Sequence, residues 1–428
     1  MGLLARFGIS FMTGALLVSV EATLFSTIGI SWSVASLSIP LILLSGGAAW
    51  IWSRRGTIVS PGIASSRVGP EILITSVVLT GLSLLHLASA FLTSRNNSVD
   101  LVYFWGVKAL LFAEHRGIDP EFLRSSFTLH AHPTYPPLFT MTLSWSHLVS
   151  GGFDWVAAPL TSVVWVVMAI PVLYGLLRRR LDQSSALVTI VLWTVVISIS
   201  LVSSYSGGNA EAALLVYGTV AGTAVLIEAR EGMSSRFLPG LCLAGCVLTK
   251  VEGIVIVGLL LAGTALRDVL QRRPQLLRKS ILLFLPSMIA GASWPIFELV
   301  YGLRLSDPLR NMTFEAVRYA REIFVESLRR LDAGTWGASW IIPFFFLLAR
   351  LRGKVIELVP GLSITFGIVT FYLAYYFSHY DNPTLLIGWT LSRVSQPGLS
   401  MLVISAGLAF FSLVSRQTQP QTVPGQEV

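Results

Sequence analysis

Charge is what this chain has least of. Lys, Arg, Asp and Glu make up 12% of its 428 residues, about half the share usual in soluble domains. With 54% apolar residues and a mean hydropathy of +0.72, that shortage argues against a soluble enzyme. It argues equally against a disordered chain, since those are poor in apolar and aromatic residues. Cysteine is nearly absent, with only Cys242 and Cys246. Four apart in an apolar run, the two share a helix face and read as buried free thiols. Neither a disulfide framework nor a CxxC metal site is encoded. Also missing are a Walker loop, a GxGxxG turn, an HExxH pair and the DxD of nucleotide-sugar enzymes. A soluble activated nucleotide is therefore not an evident substrate. No repeat with a period of about 20 to 50 residues is present, so a solenoid is not expected.

What the sequence does contain is a series of apolar runs, many near the roughly 20 residues a helix needs to cross a bilayer. Spans are predicted over 7–30, 34–52, 71–92, 155–177, 184–203, 210–228, 237–250, 253–266, 280–301, 337–350, 355–377 and 397–415. The expected fold is an all-α polytopic membrane protein of about 12 transmembrane helices with a helical first extracytoplasmic loop. Lys and Arg outnumber Asp and Glu by 30 to 22, a net charge of +8. The excess falls in alternate connections: Arg6; Arg54, Arg55 and Arg67; Arg178, Arg179 and Arg180; Arg230 and Arg236; Arg267 to Lys279; Arg350 to Lys354; and Arg416. That pattern marks the cytoplasmic side, and needs no nucleic-acid partner to explain it. Both termini are then expected in the cytoplasm. Arg6 precedes a long apolar stretch without a small-residue cleavage site, so the first run reads as a retained span.

This topology divides the chain into N-terminal spans (1–92), a first extracytoplasmic loop (93–154), a transmembrane core (155–301), an extracytoplasmic amphipathic helix (302–336), C-terminal spans (337–415) and a polar cytoplasmic tail (416–428). Residues 137–150 are apolar but short. Counting them as a span would put Arg178 to Arg180 outside, so they are expected along the outer interface, with Trp145 and His147 at headgroup level. In 313–332, Phe314, Val317, Ala320, Phe324, Leu328 and Leu331 recur at helical steps, opposite Arg318, Arg321, Glu322, Glu326 and Arg329. The pattern predicts an amphipathic helix on the outer leaflet.

Three constellations carry candidate chemistry. In the first outside loop, Asp100 directly follows a span, and Trp105 and Lys108 come five and eight residues later. Lys108 lies about two turns on, nearly on the same side of a helix beginning at Asp100. His130, His132 and Tyr135 follow in a proline-rich run, whose rigid turn can fix His132 and Tyr135. The bland reading is an interfacial loop with an aromatic belt. The second set, Gly208-Asn209-Ala210-Glu211 and Thr249-Lys250-Val251-Glu252-Gly253, puts ionisable groups at membrane depth, where they are costly and by default functional. Its bland reading is a Lys250–Glu252 pair. The third set joins His379-Tyr380-Asp381-Asn382 to Trp389, Ser392 and Arg393. A guanidinium there can meet lipid headgroups non-specifically or grip a phosphate by bidentate bonds.

In order and spacing these motifs resemble the GT-C superfamily of polyprenyl-phosphate-sugar-dependent glycosyltransferases, in its protein O-mannosyltransferase-like and aminoarabinose-transferase-like bacterial branch. The likeness covers about residues 95–415. The branch's D-x4-W-x2-K-A is matched by Asp100, Trp105, Lys108 and Ala109. Its H-P-x-Y-P-x-L is matched by His132, Pro133, Tyr135, Pro136 and Leu138, and its T-K-x-E-G by Thr249, Lys250, Glu252 and Gly253. Its late tryptophan and serine before an arginine are matched by Trp389, Ser392 and Arg393. The G-Y-A-D element departs at two positions, with Asn209 for the aromatic and Glu211 for the aspartate.

The resemblance implies an integral membrane glycosyltransferase in a bacterial inner or plasma membrane, with its site extracytoplasmic. Its donor would be a polyprenyl-phosphate-linked sugar, its acceptor a glycan, lipid or protein, and its partner the bilayer rather than nucleic acid. Asp100 would be the general base of an inverting transfer. Lys250, Arg393 and Lys108 would bind the donor phosphate, and His132, Tyr135, Glu211, Glu252 and Trp105 would shape the sugar and acceptor pockets. No cofactor is required by that scheme, and a divalent metal is possible without being indicated. The rivals are a multi-span transporter or lipid-linked-sugar flippase, which would carry related halves and matching broken helices, and a non-catalytic subunit of an envelope assembly.

Overall fold

The computed structural model describes residues 3–43, 68–93, 99–125, 132–204, 206–228, 237–272, 285–303, 315–332, 355–379 and 383–411. Among these residues the chain is helical throughout, with no strand. Helices α1 (Leu3–Ile28), α2 (Val34–Leu43) and α3 (Pro70–Leu92) open the chain. A π turn (Leu101–Trp105) runs into α4 (Gly106–His115), followed by α5 (Pro120–Arg124) and α6 (Leu138–Ser150). The central helices are α7 (Thr161–Leu177), α8 (Gln183–Ser203), α9 (Glu211–Glu228), α10 (Phe237–Thr249), α11 (Glu252–Leu270) and α12 (Leu285–Val300). The last four are α13 (Ala320–Asp332), α14 (Val359–His379), α15 (Pro383–Val394) and α16 (Gln396–Phe411).

Seven helices among the described residues are long and apolar enough to cross a membrane: Leu3–Ile28, Pro70–Leu92, Ala158–Leu177, Gln183–Ser203, Glu252–Leu270, Val359–Phe377 and Thr390–Phe411. Twelve spans were expected. Four of the remaining runs coincide with shorter apolar helices, Val34–Leu43, Glu211–Ile227, Leu238–Thr249 and Met288–Val300, and the run at 337–350 lies outside the described residues, as does the tail from 412 on. Hydropathy measures how far an apolar run extends, whereas helix length depends on where backbone turns are satisfied. α9 begins at Glu211 and α10 ends beside Lys250, where these two charged side chains pair. A 13-residue α10 rises about 20 Å, short of the roughly 30 Å hydrocarbon core.

Outer and inner helices divide by exposure. On α3, Ile74, Val77, Leu82 and Leu85 are each more than half exposed, the surface of a helix that faces lipid. α16 is buried almost all round and forms the axis of the bundle. It packs against α8, α9 and α14, where Trp193 Nε1 donates to Ser400 Oγ at 2.6 Å and Ser400 in turn meets Thr219. Tyr217 donates to the Met12 carbonyl at 2.6 Å and ties α9 to α1. Buried hydroxyls in an apolar bundle need such partners, and they fix one helix register against another.

Two interfacial expectations change in detail. Segment 137–150 is the helix α6, but it buries Leu138, Phe139, Met141 and Leu143 against α1 and α4. Its apolar face is used by the protein, so it serves as a wall of the bundle more than as a surface strip. In 315–332 a 3-10 turn (Glu315–Tyr319) precedes α13. The helix buries Ile323 and Ser327 against α15, and leaves Val317, Phe324 and Leu328 about half exposed. The expected apolar stripe therefore points away from the protein; Phe314 lies outside the described residues.

One close approach organises the centre. Only Lys250 and Val251 separate α10 from α11, so the chain doubles back and Gly253 passes over the preceding helix. A Cβ at Gly253 would lie 1.8 Å from the carbonyl oxygen of Cys246, which no side-chain adjustment can relieve. Gly253→Ala should therefore destabilise the fold by about 1–3 kcal/mol or more. The loss should appear as a lower melting temperature and less monodisperse protein in detergent. Wild-type behaviour of that variant would contradict the α10–α11 crossing described here.

Candidate functional site

Each charged residue of the site occupies a helix end. Glu211 and Glu252 fall in the first turns of α9 and α11, and Arg393 in the last turn of α15. Acids at helix N-termini and a cation at a C-terminus all complement the helix dipole. Lys250 sits in the break between α10 and α11, and Asp100 immediately precedes the π turn. π turns are rare and concentrate at functional sites.

These five side chains form one continuous ion-paired network. Arg393 Nη1 donates to Asp100 Oδ2 at 2.6 Å, joining residues 293 apart in sequence. Arg393 Nε lies 3.5 Å from Glu211 Oε1, which also accepts from Lys250 Nζ at 3.1 Å. Lys250 Nζ is 2.9 Å from Glu252 Oε1, and that same oxygen accepts from the hydroxyl of Tyr372. The anticipated Lys250–Glu252 pair is thus present, but as one link of a longer chain. Three carboxylates face two cations. Glu211 Oε2 and Glu252 Oε2 have no hydrogen-bond partner among the described residues, and neither do Arg393 Nε and Trp105 Nε1.

Aromatic rings wall one side of the network. His132 and Tyr135 stack with centroids 4.5 Å apart, and Lys250 Nζ stands 5.8 Å above the Tyr135 ring. Trp105 packs 5.8 Å from Tyr135 and 5.7 Å from Phe139. The turn that holds these rings is fastened from two directions. Lys108 Nζ donates to the His132 carbonyl at 3.1 Å, and Trp294 Nε1 donates to the Thr134 carbonyl at 2.9 Å. His132 takes a left-handed backbone with φ of 47°, a conformation a non-glycine residue keeps only where the surroundings enforce it.

The structure brings together Asp100, Glu211, Lys250, Glu252 and Arg393, with Tyr135, His132 and Trp105 beside them. Lys108 stands one layer away: its ammonium faces a backbone carbonyl and lies 4.8 Å above the Trp105 ring. That is the position of a strut for the His132 turn, a different place from the phosphate contact expected of it. Lys250 is bracketed by two carboxylates, so its charge is already balanced. His130, Tyr380, Asp381 and Asn382 lie outside the described residues, as do the side chains of His379 and Trp389.

Sequence reasoning missed Tyr372 and Trp294. Gln396 Nε2 donates to Ser204 Oγ, which ties the start of α16 to the turn before Glu211. The available signal was a tyrosine pair four apart in a span, Tyr372 and Tyr376, since phenol hydroxyls at membrane depth need partners. Tyr376 shares a 2.6 Å hydrogen bond with Thr390 Oγ1.

In the loop residues, burial sets protonation. It raises the Asp100 carboxyl above its ordinary value against the opposing pull of Arg393, with Glu211 adding to the rise. Burial, helped by Lys108 and Lys250, pushes His132 down to about 4, so its imidazole is neutral at physiological pH. Burial pulls Lys108 down to about 7 and pushes the Tyr135 phenol up. Among the described residues no group of three or more His, Cys, Asp or Glu is arranged to hold a metal ion.

The class these features define is a multi-pass helical membrane protein with a buried charge network at the ends of its short helices. No protein-family model, curated protein or solved structure matches the chain.

Lys108 gives a test of this arrangement. Folded, it holds its proton only below about pH 7, whereas its ordinary value is 10.5. Between those limits the unfolded chain binds the extra proton, so stability rises with pH across the window. The melting temperature of detergent-purified protein should climb from pH 7 towards about pH 9, and Lys108→Met should flatten that climb. An unchanged slope in the variant would show that the lysine is not buried as described.

Proposed function

We propose that this chain is an integral membrane glycosyltransferase of the GT-C type, which moves a sugar from a polyprenyl-phosphate donor to an extracytoplasmic acceptor with inversion. The supporting observation is the convergence of Asp100, Glu211, Lys250, Glu252 and Arg393, scattered over 293 residues, into one network. The shorter apolar helices are read as further membrane-embedded segments, with the site at their extracytoplasmic ends.

The unpartnered atoms indicate the ligand chemistry. Buried polar atoms are nearly always hydrogen-bonded, and each one left unmade costs about 1–3 kcal/mol. Two carboxylate oxygens here require donors, while the Trp105 indole N–H requires an acceptor. A sugar hydroxyl is both donor and acceptor, and the stacked His132 and Tyr135 rings provide an apolar face for the pyranose or furanose C–H groups. Arg393, the cation beside the more exposed edge of the network, would meet the donor phosphate.

In this reading the acceptor hydroxyl gives its proton to Asp100, and its oxygen forms the new bond to the anomeric carbon. The bond from that carbon to the phosphate oxygen breaks, and polyprenyl phosphate leaves with the electron pair. Arg393 stabilises the charge growing on the phosphate. Lys250 pairs with Glu211 and Glu252 and holds them in place to accept hydrogen bonds from sugar hydroxyls. Lys108 and Trp294 hold the aromatic turn in position.

Asp100→Asn keeps the shape of the side chain and removes its basicity. Transfer from a polyprenyl-phosphate sugar by the purified protein should fall about a thousandfold, within the range of general-base catalysis. Full activity in that variant would remove Asp100 as the base. Wild-type protein that moves the lipid-linked sugar across a bilayer but forms no new glycosidic bond would replace this reading with a flippase.

A further inference from the structure

The network is layered. Asp100 and Arg393 keep 16% and 15% of their side-chain surface exposed, while Glu211, Lys250 and Glu252 keep 2%, 6% and 8%. A ligand approaching from outside meets the Asp100–Arg393 pair first. The candidate base and the candidate phosphate ligand are therefore bound to each other at 2.6 Å. In that state Asp100 Oδ2 is engaged as a hydrogen-bond acceptor, and the guanidinium is divided between Asp100 and Glu211.

We infer that the Asp100–Arg393 ion pair is a latch, opened by the phosphate of the incoming lipid-linked donor, so that the base is freed only once the donor is in place. The inference rests on the glycosyltransferase reading and adds an order of events to it. A phosphate with two or more free oxygens competes for the guanidinium by bidentate bonds. Glu211 is already shared with Lys250 at 3.1 Å, so when Arg393 turns to a phosphate it is Asp100 that loses its principal cation. Asp100 stands at the start of the π turn Leu101–Trp105, a rare helix form that concentrates at functional sites. Acceptor activation would then require bound donor, which disfavours use of the base in an empty site.

The latch makes a prediction opposite to that for an ordinary binding residue. If Asp100 competes with phosphate for Arg393, its neutral isostere should bind a phosphate-bearing lipid more tightly while losing transfer. Farnesyl phosphate, which carries the lipid and phosphate but no sugar, should bind Asp100→Asn about tenfold more tightly than wild type, the scale of one charge-assisted hydrogen bond. Inorganic phosphate as a second probe separates headgroup from lipid: the same gain with both assigns the effect to the phosphate alone. In wild-type protein, farnesyl phosphate should also increase labelling of Asp100 by a hydrophobic carbodiimide, read by peptide mass spectrometry, because the freed carboxyl loses its guanidinium. Equal or weaker binding by the variant, or unchanged labelling of Asp100, would overturn the latch while leaving the transferase reading in place. Failure of wild type and variant alike to bind any prenyl phosphate would overturn both.

Discussion

Ionised groups cannot be buried singly in an apolar bundle. Removing a carboxylate or ammonium from water costs several kcal/mol even after relaxation, and attraction between opposite charges offsets this only when geometry and further hydrogen bonds are favourable. Lys250 satisfies the condition by standing between Glu211 at 3.1 Å and Glu252 at 2.9 Å. Meeting it requires that α9 begin, α10 end and α11 begin at one place. The lengths of three helices are thereby set by one ammonium group. Arg393 and Asp100 extend the same constraint to α15 and to the first loop.

A consequence is non-helical backbone inside the bundle, at 206–210 and at 250–251. Irregular backbone at membrane depth is tolerated only where protein satisfies it. Serine does this here. Ser162 Oγ accepts from the Gly208 N–H at 3.2 Å, and Ser204 and Ser206 share a 2.7 Å hydrogen bond. Gln396 reaches the same hydroxyls from the start of α16. Gly208 takes a φ of 76°, the left-handed region that glycine enters without steric cost. The turn that presents Glu211 is therefore held by uncharged polar groups, leaving its carboxylate for Lys250 and Arg393.

How much of this was legible depends on the kind of signal. The class followed from apolar runs, and the candidate charges from the rule that ionisable residues at membrane depth are rarely idle. Glu211, Lys250 and Glu252 could be picked out on that ground, and Asp100 and Arg393 from their places in outside loops beside predicted spans, although nothing local in the sequence pairs Asp100 with Arg393. Span count was less legible. Hydropathy reads 210–228 and 237–250 as crossings; α9 covers almost all of the first run, whereas the 13-residue α10 ends beside Lys250, short of a full span. Lys108 illustrates a third limit: its spacing from Asp100 suggests a shared face, but the His132 carbonyl, 24 residues away, claims its ammonium. Tyr372 was hidden for a similar reason, because an aromatic residue in a span reads as packing until a carboxylate is found opposite its hydroxyl.

The arrangement of the charges also bears on the choice between transfer and transport. An alternating-access carrier places its site where two mobile halves meet, so that each half can release the ligand in turn. Here the network draws on the first loop, on α9, α11 and α15, and on the α10–α11 break, and the break and the α9 turn are closed by hydrogen bonds within the bundle. Opening the site from its buried side would expose Glu211 and Lys250 only after the serine-lined turn and the Gly253 crossing had come apart. Opening it from the more exposed side disturbs the Asp100–Arg393 pair and the Arg393–Glu211 contact. Under the glycosyltransferase proposal, a site that is more exposed on one side and built into the helix ends on the other accords with chemistry at a single face.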